Sequence, residues 1–289
     1  MYFKKKINLK KIKLPVNQWI FNEFIETQNL VTNNIDNFRF DEASRHAYKF
    51  VWHSYCDWYL EFLKPIFNSK NKTEVDEARN FSVFMLTNLL RMLHPFIPFF
   101  TESVWTQNKY NNFFNTSLVN AHWPNYKNQS NFDTNKVNIN NLIELITDIR
   151  STKAELNIKP KLFCDIIFFE KSKKLKPLIS RNIDIIKQVG RVNNLFQQKN
   201  LNKNSIEILV LKEKLALQFN EGIDIMSQKN RILQKLEHIE AQKNKLNIKL
   251  KNKAYLKNAP KEIVQNDRDL LKDLMIEDSK LRSIVSSIN

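Results

Sequence analysis

Only two of the 289 residues are glycine, Gly190 and Gly222. Glycine lets a backbone approach a phosphate closely, or take a positive φ, without a steric penalty. Motifs that need two glycines a few residues apart are therefore impossible in this chain, which removes the P-loop, the dinucleotide fingerprint and the nucleophile elbow. Nucleotide-dependent catalysis is disfavoured by the same count. The two cysteines, Cys56 and Cys164, cannot form a disulfide framework or a four-sulfur zinc site, and both read as buried thiols in a reducing cytoplasm. The first fifteen residues carry six lysines and no apolar stretch of signal-peptide length. No segment approaches the roughly 20 apolar residues of a membrane span.

What remains is a mostly helical chain of about two domains' length. Ile20, Phe24, Val31, Ile35 and Phe38 recur at helical spacing and predict a helix over Asn17 to Phe38. Ala43, Ala47, Phe50, Ser54, Trp58 and Phe62 predict a second over Asp41 to Lys64, ended by Pro65. Ala78, Phe81, Met85, Leu89 and Met92 predict a third from about Val75 to Leu93, after a polar connection from Asn68 to Glu74. Pro95 and Pro98 break it, and a short fourth helix starts near Thr101. Residues 110–136, rich in Asn and without a period, read as a linker.

Val137 to Leu156 is helical again, and then the pattern changes. Phe163 to Phe169, Ile206 to Leu211 and Leu215 to Phe219 read as strands, with a helix from about Leu175 to Val189 ended by Gly190 and a hairpin near residues 212–214. Past Gly222 the apolar spacing tightens to a heptad through Ile225, Lys229, Ile232, Leu236, Ile239, Lys243, Leu246 and Leu250. After Asn258-Ala259-Pro260 a second run follows through Ile263, Asp267, Leu270, Leu274, Glu277, Leu281, Ile284 and Ile288, with Pro260 suited to the first turn. The expected fold class is mainly α. A helix bundle fills residues 1–125, a linker and small α+β module residues 126–222, and an antiparallel coiled-coil hairpin residues 223–289.

Lys and Arg outnumber Asp and Glu by 46 to 30, a net charge of +16, which suits a polyanionic partner. A lysine-rich surface drawn from an A+T-rich coding sequence is the plainer source of the same number. Two places concentrate the charge. Arg39, Arg45 and Lys49 flank Phe40, and cations interleaved with aromatics can hold a phosphate and stack a base together; a solvated helix end beside a core Phe reads equally well. The first arm of the hairpin carries Lys243, Lys245, Lys249 and Lys251 among nine cations, against only Glu237 and Glu240. That makes it a candidate phosphate-backbone contact as well as a packing element.

Other chemistry is thin. His46 and His53 share a helix without a third metal ligand, and His94 reads as a helix-end residue whose ring satisfies a backbone group. Asp57, Glu61 and Lys64 read as a surface ion-pair ladder. Trp52, Tyr55, Trp58 and Tyr59 read as core, with any exposed member able to stack on an unpaired base.

Three blocks resemble the anticodon-binding domain of the bacterial valyl-tRNA synthetase family: Phe38-Arg39-Phe40-Asp41-Glu42-Ala43; Cys56-Asp57-Trp58-Tyr59-Leu60-Glu61 with Lys64-Pro65; and Leu89-Leu90-Arg91-Met92-Leu93-His94-Pro95-Phe96-Ile97-Pro98-Phe99 with Thr101-Glu102 and Trp105. Arg150 and Lys153-Ala154-Glu155-Leu156-Asn157-Ile158 with Pro160 are similar to the segment entering that family's small α+β module. Asn258-Ala259-Pro260-Lys261-Glu262-Ile263-Val264 is similar to the turn of its C-terminal coiled coil.

The resemblance implies that the bundle reads the anticodon loop of valine tRNA, for which Arg39, Phe40 and Arg45 are the expected contacts, with Lys49 a further expected RNA-binding residue. It also implies that the coiled coil lies along the tRNA corner, for which the arm's charge makes Lys243, Lys245, Lys249 and Lys251 the expected contacts. It further implies a truncated or split product, without the family's catalytic and editing motifs, in the cytoplasm. No cofactor is expected for these residues; ATP and magnesium are expected only for the catalytic domain, supplied by a missing or separate chain. A coiled-coil protein-interaction module and an inert gene remnant are the alternatives.

Overall fold

The computed structural model of the chain describes residues 7–126, 133–198, 205–219 and 225–287. It divides into two compact units, Met1–Ile143 and Glu144–Asn289, and the helix α7 (Asp133–Glu155) runs through the division.

In the first unit α1 spans Pro15–Asp36, and its N-cap residue Leu14 offers no side-chain hydrogen bond. The cap comes from elsewhere. Glu77, on α4 (Lys72–Leu93), accepts from the Leu14 backbone N–H at 2.8 Å, from the Lys13 N–H at 3.1 Å and from Asn17 Nδ2 at 3.1 Å. Asn17 Oδ1 in turn accepts from the buried Tyr59 hydroxyl at 3.0 Å. Burial holds that phenol well above its ordinary pKa, so Tyr59 stays a neutral donor. Trp19, Phe21, Phe24, Tyr59, Phe62, Phe81, Met85 and Met92 fill the core around this link.

The second predicted helix is a continuous run with a change of winding inside it. α2 (Phe40–Lys49) passes into a π-helical segment, Phe50–Tyr59, and then into α3 (Leu60–Phe67). The i→i+5 winding moves the buried face from the expected Ser54 and Trp58 to Tyr55 and Tyr59. The run also passes through Pro65 instead of stopping there. Proline withholds one backbone donor, and burial of Pro65 with Phe62 and Leu63 offsets that loss close to the helix end. Phe38 lies outside α1, exposed and at φ 58°, so it is no part of the stripe expected from spacing.

α4 starts at Lys72, inside the expected polar connection, because the Asn71 side chain accepts from the Thr73 and Glu74 N–H groups. α5 begins on Pro98 and spans Pro98–Gln107. His94 Nδ1 lies 2.8 Å from the Thr101 hydroxyl, so its partner is a side chain and not a backbone group. The expected linker is folded in its first part. α6 (Tyr110–Phe114) and a 3-10 turn (Leu118–Asn120) bury Tyr110 and Leu118 against Trp105. Trp105 Nε1 donates to the Thr116 carbonyl at 3.1 Å, and the Glu102 carboxylate caps the Leu118 and Val119 N–H groups at 3.1 Å each. The tertiary partners, invisible to periodicity, order this Asn-rich stretch. Residues 127–132 of the expected linker lie outside the described residues.

In the second unit, β1 (Cys164–Phe169), β2 (Val192–Gln198), β3 (Ser205–Val210) and β4 (Glu213–Gln218) form one sheet in the order β2-β1-β4-β3. β1 pairs with β2 in parallel and with β4 antiparallel. β1 is central and buried along nearly its whole length, which suits its continuous apolar run. β2 is absent from the sequence reading because an edge strand of Asn and Gln shows no alternation. The single helix expected between β1 and Gly190 is two, α8 (Leu175–Arg181) and α9 (Ile183–Gly190), separated at Asn182. Gly190 is the last residue of α9, and the left-handed residue after it is Arg191, at φ 55°.

The β3–β4 turn also uses left-handed residues without glycine: Leu211 at φ 53° and Lys212 at φ 66°. Two consecutive positive φ values define the hairpin turn that favours Asn-Gly. α10 (Ile225–Lys251), α11 (Lys253–Asn258) and α12 (Lys261–Ser287) form a helical hairpin. The Asn252 side chain caps α11, and Pro260 precedes α12, its carbonyl accepting from Ile263 and Val264. Ile232, Leu236 and Ile239 are buried as expected. On α12 the buried positions are Val264, Leu274, Asp278 and Leu281 with Leu271 half-buried, while the expected Ile263 and Leu270 are exposed, one residue out of step. Gly222 and Ile288, and the side chains of Ile225 and Ile284, lie outside the described residues.

Two outcomes follow. Glu77→Ala strips the cap from α1 and leaves Asn17 short of a partner, which should destabilise the protein by about 2 kcal/mol in urea unfolding. Leu211→Asn with Lys212→Gly should raise the melting temperature through relief of about 1 kcal/mol of left-handed strain.

Candidate nucleic-acid interface

Each unit carries one of the two basic surfaces expected from the sequence. On the first, Arg39 is the N-cap residue of α2 and Phe40 its first residue. Arg39, Arg45 and Lys49 are exposed, and Phe40 is 56% exposed with its ring edge-on to Phe38 at 6.4 Å. The cations are less free than the sequence implies. Glu42, one turn into the helix, pairs with Arg39 at 3.4 Å, with Arg45, and with His46 at 3.9 Å. Its carboxylate raises the Arg45 pKa further above the ordinary value. The α2 cluster is therefore a pre-oriented fork of two guanidinium groups around one acid.

Aromatic side chains extend this surface beyond the residues that spacing selected. Tyr48 and Trp52 are both exposed and lie parallel, 6.2 Å apart with 6° between their planes. Their density within one helix was readable in the sequence, but the π-helical winding decides that Trp52 faces solvent while Tyr55 and Tyr59 face the core. Asp57 pairs with His53 at 3.4 Å and Glu61 with Lys64, as a surface ladder.

A cleft of about 760 Å³ opens beside Phe40, walled by Ile35, Phe96 and Trp123, with Thr32, Asp36, Asp41 and Ser44 at its polar edge. Trp123 is held in place by donating from Nε1 to the Thr32 hydroxyl at 2.9 Å. Apolar walls with two carboxylates suit a flat ring bearing amino donors and do not suit a phosphate. Trp123 and Phe96 join this site only through tertiary packing; Phe96 falls within one of the blocks of resemblance, whereas no sequence signal pointed to Trp123.

On the second unit the four hairpin lysines fall into two kinds. Lys243 reaches across to Asp278 on α12 at 3.3 Å. Lys249 pairs with Asp267 at 2.7 Å and stands 4.7 Å over the Tyr255 ring, whose hydroxyl donates to the same carboxylate at 2.6 Å. Arg282 joins Asp278 and Glu240, each at 3.0 Å. Lys243 and Lys249 thus pin the hairpin, whereas Lys245 and Lys251 are exposed on the same arm. Among the described residues no group of three metal-ligating side chains comes together, and no helix is long and apolar enough to cross a membrane.

The ion pairs set a pH dependence. Hydrogen bonds from Lys249 and Tyr255 lower the Asp267 pKa, and those from Arg282 and Lys243 lower that of Asp278. A carboxylate with a depressed folded pKa contributes stability above its unfolded value of about 3.9 and loses it as pH falls through the lower folded value. Helical circular dichroism on heating should therefore show a melting point that drops between pH 6 and pH 3, and the drop should be smaller in Asp267→Asn/Asp278→Asn.

Residues 17–168 match the family described as the anticodon-binding domain of tRNA ligase, and residues 224–289 match the valyl tRNA synthetase tRNA binding arm. The chain is 36% identical over 257 residues to valine--tRNA ligase of Pelagibacter ubique (strain HTCC1062), covering 89% of this chain and 29% of that protein. It is 31% identical to the Brucella suis biovar 1 (strain 1330) valine--tRNA ligase, over 91% of this chain and 29% of that one. For that of Bartonella quintana (strain Toulouse) the identity is 30%, over 94% and 30%. The chain thus spans under a third of the length of these relatives. With an anticodon-binding match across its helical bundle and a tRNA-binding-arm match across its hairpin, the chain belongs to the valyl-tRNA synthetase family.

Proposed function

We propose that this chain binds tRNA as the recognition portion of a valine--tRNA ligase, with valine tRNA as its partner in the cytoplasm. The observation that carries this reading is that both family matches fall on surfaces whose physical chemistry suits folded RNA. On the first, the Arg39 and Arg45 fork with Lys49 suits phosphates, the Tyr48–Trp52 pair suits a stacked base, and the cleft beside Phe40 suits an unstacked base whose amino group Asp36 or Asp41 accepts. On the second, Lys245 and Lys251 face solvent along a rigid basic helix and suit the backbone of an RNA helix, which is read by shape.

The residues present hold no phosphate-cradling glycine loop and need no cofactor for this task. Activation of valine with ATP and magnesium falls to other residues, on a longer polypeptide or a separate catalytic chain.

A binding titration against valine tRNA, and against the same tRNA with its anticodon changed, tests the reading at two salt concentrations. Salt-sensitive binding that weakens with the altered anticodon is expected, and equal binding to both RNAs would reduce the surface to a nonspecific one. Trp52→Ala should cost about tenfold in affinity, the usual worth of one stacked base. Lys245→Glu with Lys251→Glu should flatten the salt dependence by about two phosphates' worth of released counterions, whereas Lys243→Glu should act mainly by loosening the hairpin.

A second reading has one observation in its favour. Ile263 and Leu270, seven residues apart on one face of α12, are both exposed, and such a pair suits a partner helix. Salt-insensitive capture of a stoichiometric protein, with no RNA binding, would select it.

A further inference from the structure

The second unit holds another basic site, away from the hairpin. A pocket of about 340 Å³ lies between the C-terminal part of α7, the turn through Pro160 and the end of α9, and Arg150, Lys153, Lys161 and Arg191 all line it. No Asp or Glu is among its lining residues.

The floor of the pocket explains why four cations tolerate one another. Lys153 is buried, and its ammonium donates to the carbonyls of Leu162 at 3.1 Å, Gly190 at 3.3 Å and Arg191 at 3.0 Å. Arg150 Nη2 donates to the Val189 carbonyl at 2.9 Å. The Val189, Gly190 and Arg191 carbonyls close the C-terminal end of α9, where the helix dipole places roughly half a negative charge, and the Leu162 carbonyl belongs to the turn before β1. Two cations thus occupy the groups that would otherwise repel an anion, and the charge left over is strongly positive. Of the nearby carboxylates, Glu155 pairs with Lys235 at 3.5 Å, and Asp165 accepts from the Asn194 N–H at 3.0 Å and from its Nδ2 at 3.1 Å. Burial lowers the Lys153 pKa, with smaller contributions in the same direction from the Arg191 and Arg150 guanidinium groups.

The rim is open. Lys161 and Arg191 are exposed, and neither makes an ion pair with a carboxylate among the described residues. The left-handed backbone of Arg191 (φ 55°) turns its guanidinium over the Phe163 ring at 5.8 Å.

We propose that this pocket is a phosphate-binding site, in which Lys161 and Arg191 at the rim and Arg150 beside them hold the oxygens of a phosphate group above the Lys153 floor. The phosphate has two sources, a phosphodiester of bound RNA or a free phosphate. The first source rests on the tRNA-binding reading above, and the second does not.

The full chain and its Lys161→Ala/Arg191→Ala variant are titrated with inorganic phosphate by calorimetry, and separately with valine tRNA over a salt series. Both altered side chains are exposed, so an unchanged melting temperature is the expected control. Wild type should bind inorganic phosphate in the millimolar range, and the variant should bind it at least fivefold more weakly, while Lys245→Ala/Lys251→Ala, on the hairpin, should bind as wild type does. If the source is RNA, the variant also loses tRNA affinity and the slope of log affinity against log salt falls by about 1. If the source is free phosphate, tRNA binding is unchanged and the phosphate site stands, even where the chain binds no tRNA at all. Phosphate binding that is absent in wild type, or equal in wild type and variant, overturns the proposal.

Discussion

A helix end leaves backbone groups that something must satisfy, and this chain meets that need largely with charged side chains from distant elements. α1 receives Glu77 from α4, the turn at Leu118 receives Glu102 from α5, and the start of α8 receives Glu213 from β4, whose carboxylate accepts from the Lys173, Lys174 and Leu175 N–H groups. At the opposite polarity, Arg150 and Lys153 from α7 take the carbonyls at the end of α9. Each sign agrees with the helix dipole, acids at N-termini and cations at the C-terminus. A local Ser or Asp cap orders one turn. A cap brought in from another element ties two elements together, so secondary and tertiary structure form as one event.

The same habit explains how left-handed backbone is managed with almost no glycine. Phe38, Lys109, Asn115, Asn157, Arg191, Leu211 and Lys212 all have positive φ. Asn tolerates this region; the bulkier residues hold it only because flanking elements over-determine the chain path. At Arg191 the strained backbone also has a chemical effect, since it swings a guanidinium over Phe163 at the mouth of the basic pocket.

Charge is partitioned by the fold in a way that net charge conceals. On the hairpin, Lys243 and Lys249 are spent on Asp278 and Asp267, and on α2 the fork of arginines is spent partly on Glu42. The remaining exposed lysines of the basic arm carry the long-range field. On α2 and the hairpin the acids sit where they organise cations, so part of the positive charge is committed to holding the fold.

Much of the architecture was legible from one-dimensional patterns, because helical and heptad periods report on packing within a few turns. α1, α4, α7, the β3–β4 hairpin and both arms of the helical hairpin follow from their apolar spacing, and the exclusion of glycine-loop chemistry follows from the glycine count. Three features were not legible. The π-helical segment moves Tyr55 and Tyr59 inward and leaves Trp52 outside, a choice of winding made by the core it meets. β2 is a polar edge strand that exists only because β1 offers it a partner. The cleft with Trp123 and the pocket around Lys153 gather residues far apart in the chain. Residue types and spacing specified which surfaces could be basic and aromatic, whereas the roles of individual side chains were decided by neighbours distant in sequence, because a hydrogen bond or ion pair depends on proximity in space.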